Sequence, residues 1–169
     1  MRGLRITLVG LSAAFLTACP SGDTTAPKDT PLPTVESAEV GQYNLQSANG
    51  AAVPASAGSY PIGNVTCNRF IDGGFLTLDG KLSFQLSVSW RIVCPSGVNT
   101  TSTYSGIQAS NGTWTYDGTR LTLSRQGGSA IGISNISAAG AAVTADLQLE
   151  TEPPGSAFAF PLLTMRFQR

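Results

Sequence analysis

Between residues 81 and 94 apolar and polar side chains alternate with a period of two. Leu82, Phe84, Leu86, Val88, Trp90, Ile92 and Cys94 fall on one side, and Lys81, Ser83, Gln85, Ser87, Ser89 and Arg91 on the other. A helix turns about 3.6 residues per cycle and would scatter these positions around its surface, whereas an extended strand puts them on opposite faces. One face therefore meets a core and the other meets water. The run is long for a strand, as expected where strands tilt around a barrel.

Short turn signals recur along the rest of the chain: Asn49-Gly50, Gly73-Gly74, Asp79-Gly80, Ser96-Gly97, Asn111-Gly112, Asp117-Gly118, Gly127-Gly128, Ala139-Gly140 and Pro153-Pro154-Gly155. Asn-Gly and Asp-Gly supply the positive φ angles of tight hairpins. Between them, strands are expected at 40–46, 65–71, 75–78, 81–94, 101–109, 113–116, 120–125, 130–136, 142–150 and 160–168. No segment after the N-terminal region carries a helical period long enough for a crossover helix. The expected fold is all-β: an antiparallel up-and-down barrel of about eight to ten strands. A sandwich satisfies the same alternation, but a Greek key needs long crossing connections and the links here are short. Closure would also remove edges that a Ser- and Thr-rich sheet leaves open to pairing.

The N-terminus follows different rules. Met1-Arg2-Gly3-Leu4-Arg5 is a short basic segment, and residues 6–15 are apolar. That is the pattern of a secretory signal helix, too short for a spanning helix of roughly 20 apolar residues. It ends in Leu16-Thr17-Ala18-Cys19, which resembles the bacterial lipobox. The resemblance implies cleavage after Ala18, a diacylglyceryl group on the Cys19 thiol and acylation of the new amino group. The alternative is an ordinary secretory signal with an incidental Cys19. Two or more acyl chains give stable anchoring at about 0.8 kcal/mol per buried methylene. Pro20 at the next position resembles lipoproteins sorted to an outer membrane or the cell surface. Residues 19–38 contain four prolines and no apolar period, so they read as the lipidated Cys and a flexible tether. Residues 39–169 read as one domain of ordinary size.

Loss of residues 1–18 removes Arg2 and Arg5 and leaves eight basic against ten acidic side chains. Without a basic surplus, nucleic acid is not an expected partner. The chain contains no histidine, which removes Ser-His-Asp and Cys-His catalysis and histidine-based metal sites. The acidic candidates are Asp72, Asp79, Asp117, Asp146, Glu150 and Glu152. Asp79 and Asp117 are explained by turn chemistry, and a carboxylate pair for glycoside hydrolysis is the remaining catalytic reading. The expectation is a protein that is not an enzyme and needs no metal or cofactor.

With Cys19 assigned to lipid, Cys67 and Cys94 form an even pair in an oxidising compartment, which reads as one disulfide. A metal pair and two free thiols are the rival readings. A zinc site would lack ligands, having neither a histidine nor a third thiol.

Phe84 and Trp90 are expected to face inward, with Trp114 and Tyr116 a strand or two away and Phe167 on the final strand. These five residues would line a site for a small apolar ligand or, alternatively, fill the barrel as core. The segments Gly41-Gln42-Tyr43-Asn44-Leu45, Leu76-Thr77-Leu78-Asp79-Gly80-Lys81-Leu82-Ser83-Phe84 and Gly112-Thr113-Trp114-Thr115-Tyr116-Asp117-Gly118 carry a further likeness. With Leu163-Thr164-Met165-Arg166-Phe167, they resemble the lipocalin-like β-barrel domains of uncharacterised bacterial lipoproteins. The resemblance implies a barrel over most of residues 40–169. Lipocalins carry Gly-x-Trp on the first strand under an Arg of the last; here Tyr43 takes the Trp position and Arg166 is the candidate Arg. The expected partners are a membrane, through the lipid, and either a small apolar ligand or an envelope protein. An inhibitor of a hydrolase is one form of the second case, with Ser96–Thr101 and Gly127-Gly128 as the loop tips.

Overall fold

The computed structural model describes residues 38–127, 131–150 and 160–169. The signal segment 1–18, Cys19, nearly all of the tether, Gly128, Glu152 and the Pro153-Pro154-Gly155 turn lie outside the described residues. Ten strands form one antiparallel sheet: β1 Gly41–Ala48, β2 Ala51–Ala52, β3 Ala55–Ile62, β4 Val65–Leu78, β5 Ser83–Gly97, β6 Thr100–Tyr116, β7 Leu121–Arg125, β8 Ile131–Ala139, β9 Ala142–Leu149 and β10 Leu163–Gln168. Eight of them run in the order β7-β6-β5-β4-β1-β10-β9-β8, with β2 on β1 and β3 on β4. Apart from the inserted β2 and β3, this is sequence order wrapped into a ring, the up-and-down barrel expected from the hairpin spacing. At the seam between β7 and β8 the described residues share no ladder. Arg125 instead extends from the end of β7 and donates from Nη1 to the Ile131 carbonyl at 2.7 Å.

The expected alternation is realised from Ser83 to Cys94, whereas Lys81 and Leu82 belong to the turn before β5, Leu82 with φ 64°. Phe84, Leu86, Val88, Ile92 and Cys94 are buried, while Lys81, Ser83 and Gln85 are exposed. β9 follows the same rule, with Val143, Ala145, Leu147 and Leu149 inside, and β10 places Leu163, Met165 and Phe167 inside. Together with Tyr43, Leu45, Leu76, Leu78, Trp114 and Leu121 these form one continuous core.

Two expected turns are not turns. Gly73-Gly74 lies inside β4 and Asn111-Gly112 inside β6, so each pair of expected short strands is one long strand. Glycine serves there for close approach. A Cβ on Gly74 would stand 2.4 Å from the Ser87 carbonyl oxygen, and one on Gly112 would stand 2.0 Å from that of Ser124. β4 also bulges between Ile71 and Gly73, which bends the wall. Ser96-Gly97 belongs to the end of β5, and the chain reverses at Val98-Asn99, where Asn99 has φ 63°. The last strand begins at Leu163, three residues later than expected.

The sequence pattern does not predict β3, because Gly58 and Pro61 interrupt it and its inward residues, Ala55 and Ala57, are small. It pairs with the first half of β4, whereas β1 pairs with the second half, Phe75 to Leu78. The sheet of β4, β5 and β6 therefore has a lower half closed into the ring and an upper half edged by β3.

Candidate functional site

The five aromatic residues proposed from sequence fall into two settings. Phe84 on β5 and Trp114 on β6 are buried at the lower end of the interior. The Trp114 indole N–H donates to the Asp79 carbonyl at 2.9 Å, so this ring also pins the β4–β5 loop. Tyr116 is half-buried against the core, and its hydroxyl donates to the Gly118 carbonyl at 3.0 Å. Phe167 is buried on β10, three strands round the ring from β5. All four belong to the lower core or its rim.

Trp90 stands apart. It pairs with Gly106 across the β5–β6 ladder, and its indole lies over that glycine: a Cβ there would be 2.7 Å from Trp90 Cζ2. Phe160, just before β10, packs against the same indole with ring centroids 5.6 Å apart and planes at 60°. The Gln148 side-chain amide holds the Phe160 carbonyl at 2.6 Å.

Below Trp90 the inner wall turns polar. Gln108 and Ser110 follow Gly106 on the inward side of β6, opposite Val88 and Leu86. They are 8% and 1% exposed, which makes them the buried polar residues of an otherwise apolar interior. Gln108 Oε1, Ser110 Oγ and Trp90 Nε1 are buried without a hydrogen-bond partner among the described residues. Leaving such an atom unpaired costs about 1–3 kcal/mol, so each is a position where water or a ligand group is stabilised. The set offers an acceptor, a hydroxyl and a donor along one strand pair, with no charge.

The upper rim is held by other means. Cys67 and Cys94 are bonded across β4 and β5, S–S 2.10 Å, with both side chains buried. They follow the Asn68–Val93 pair in the ladder, which places them directly opposite each other, with Cα atoms 4.3 Å apart. That is the separation of a non-hydrogen-bonded antiparallel pair. Beside them the Arg69 guanidinium lies 4.8 Å from the Tyr60 ring and 5.8 Å from the Phe160 ring. Burial pushes the Tyr60 hydroxyl above its ordinary pKa.

The carboxylates are dispersed. Asp72, on the β4 bulge, pairs with Arg91 at 3.4 Å. Asp79 Oδ1 accepts the backbone N–H groups of Lys81 and Ser83 at 2.9 Å each, and Oδ2 accepts the Ser83 hydroxyl. Those bonds, led by the Ser83 hydroxyl, hold its pKa below the usual carboxylate value. Asp117 is lowered in the same way by Thr119 and Arg120 in the β6–β7 loop. Asp146 is lowered by Thr164 and Asn135 on the flanking strands. Glu150 is exposed beyond β9. Among the described residues no three acidic or thiol groups converge on a metal-sized site. An open cleft of about 350 Å³ lies on the outer wall at the Gly112 bend, lined by Ser83, Thr113, Ser124, Arg125 and Gln126.

On β1 the Tyr43 ring is fully buried beneath an arginine, but that arginine is Arg169, 5.0 Å from the ring centroid. Arg166 instead alternates outward on β10. Arg169 also donates to the carbonyls of Val40 and Ala38, and Gly41 leaves room for its stem. Comparison with protein-family models, curated proteins and solved structures gives no match for this chain.

Proposed function

We propose that this protein is an exported, lipid-anchored, non-enzymatic barrel that carries a small and largely apolar ligand in its interior. The observation that supports the reading is the set of unpartnered polar atoms on Trp90, Gln108 and Ser110, set in a wall whose remaining inward side chains are apolar. A ligand suited to that wall has an apolar body and one or two neutral hydrogen-bonding groups. Anchoring through Cys19 would hold the carrier at the cell envelope, in an outer membrane or on the cell surface.

N-phenyl-1-naphthylamine, an apolar amine with one N–H, tests the interior. The full chain should give saturable fluorescence enhancement with quenching of tryptophan emission, and Ser110→Phe should remove both while retaining the far-UV spectrum. Failure of the folded chain to saturate would sink the carrier reading. The anchor has its own test: Cys19→Ser should abolish incorporation of labelled palmitate and free the protein from membranes. Unchanged membrane partition would overturn it.

A protein–protein module is the second reading. It is favoured by the hairpin tip at Val98, an apolar side chain 92% exposed.

A further inference from the structure

We infer that the outer edge of β6 is a self-association surface, on which two copies of this chain pair β6 against β6 in antiparallel fashion about Ser105. β6 has a complete partner on one side, with β5 laddered from Ser83 to Gly97. On the other side β7 covers only Gly112 to Tyr116, and the Gln126 N–H closes on the Asn111 carbonyl at 2.9 Å. On this outer side residues 100–110 have no strand laddered to them among the described residues.

The direction of the free groups follows from the ladder. In an antiparallel pair, alternate residues turn both N–H and C=O toward the same neighbour. Trp114 bonds toward β5 through Leu82, and Asn111 bonds toward β7 through Gln126. The β5–β6 register runs unbroken from Thr113 to Thr101. Thr101, Thr103, Ser105, Ile107 and Ala109 therefore present their N–H and C=O groups outward, and all five side chains are exposed.

Exposed edges are normally blunted by charge, proline or covering segments. None of the first two is present: the chain has no charged residue between Arg91 and Asp117 and no proline after Pro95 in that span. An uncharged edge imposes no repulsion on a copy of itself. The arrangement is also self-complementary. With the two-fold axis at Ser105, Thr101 faces Ala109 and Thr103 faces Ile107 on each side, so every outward group finds its counterpart. Thr103 against Ile107 is a β-branched cross-strand pair, made twice, of the kind that stabilises sheets. Each window ends at β7 in one direction and at the Val98-Asn99 hairpin in the other, so the β7 strands of the two copies lie beyond the paired region. A foreign strand would need matching length and register; a second copy has both.

Sedimentation equilibrium of the full chain in density-matched mild detergent tests the pairing. A concentration-dependent dimer is expected. Ile107→Lys places two lysines near the axis on a residue already 73% exposed and should weaken the dimer by about tenfold or more. Ser105→Pro removes an outward N–H, which an edge strand tolerates, and should give monomer with an unchanged far-UV spectrum. A monomer at all concentrations to about 100 µM, tighter than which a weak specific pair associates, would overturn the inference. So would a dimer indifferent to both substitutions, or association only with a different chain.

Discussion

The two halves of the β4–β5–β6 sheet solve the same problem with different materials. Below the Val88–Gln108 pair the wall is nearly closed into a ring, open only at the β7–β8 seam, and large side chains fill it: Phe84, Leu86, Leu76, Leu78, Trp114 and Phe167. Above it the sheet is edged by β3, and its buried residues are smaller: Ala55, Ala57, Cys67 and Cys94, with Ile71 and Ile92. There a covalent bond and the Arg69–Tyr60–Phe160 stack stand in for apolar volume. The lower half is stabilised by area removed from water, about 25 cal/mol per Å². The upper half depends on cross-links between strands that bury little.

Trp114→Ala should have the largest effect. It removes a fully buried indole and the bond to Asp79, and a loss of about 3–5 kcal/mol is expected. Hydrogen exchange should then accelerate in both halves. If only the lower loops respond, the halves fold separately and the contrast is deeper than drawn. Removing the disulfide with Cys67→Ala and Cys94→Ala comes next. A loop with a sequence separation of 27 gives about 3.5 kcal/mol on the chain-entropy model. Denaturant titration should show that loss, while exchange protection fades chiefly in β3 and the upper ends of β4 and β5. Equal fading in β9 and β10 would remove the distinction.

Acid gives the smallest change and acts on the Asp79 and Asp117 loops and on Asp146 within β9. Asp79 and Asp117 have folded pKa values below that of a free aspartate, about 3.9. The ionised carboxylates therefore favour the folded state above that value, and their contribution disappears as pH falls through the lowered folded values. The denaturation midpoint should drop as pH falls below about 3.9, and Asp79→Asn should flatten that drop. An unchanged profile in Asp79→Asn would assign the acid sensitivity elsewhere.

The same division governs what can be read from sequence. The lower half was legible because period-two alternation of large apolar residues is an unambiguous strand signal, as in 81–94 and 142–149. The upper half is legible in part: strands at 65–71 and 101–109 and the Cys67–Cys94 pair follow from the sequence, and β3 does not. β3 buries alanines beside Gly58 and Pro61, so its inward face leaves no hydrophobic trace. The polar positions Gln108 and Ser110 look like solvent-facing residues until the register turns them inward. Glycine pairs carry two meanings, a reversal of the chain or a close backbone approach, and Gly73-Gly74 and Asn111-Gly112 have the second. Phe84, Trp114 and Phe167 are buried and Trp90 and Tyr116 are half-buried, and an aromatic residue type alone does not separate lining from core. Arg169 lies outside the strand that the likeness pointed to, and only its contact with Tyr43 identifies it.

The ladder between β1 and β10 has a consequence for the order of events in time. Residues of β1 pair with β10 across more than a hundred intervening positions, and Asn49 holds Thr164 at a sequence separation of 115. Contacts of that reach form slowly, because the chain must be brought together before they contribute. The first strand to emerge from the ribosome thus waits for the tenth. Until β10 arrives, a partly synthesised chain exposes two unpaired strand edges, β1 and β9, to whatever chaperone or neighbour meets it first.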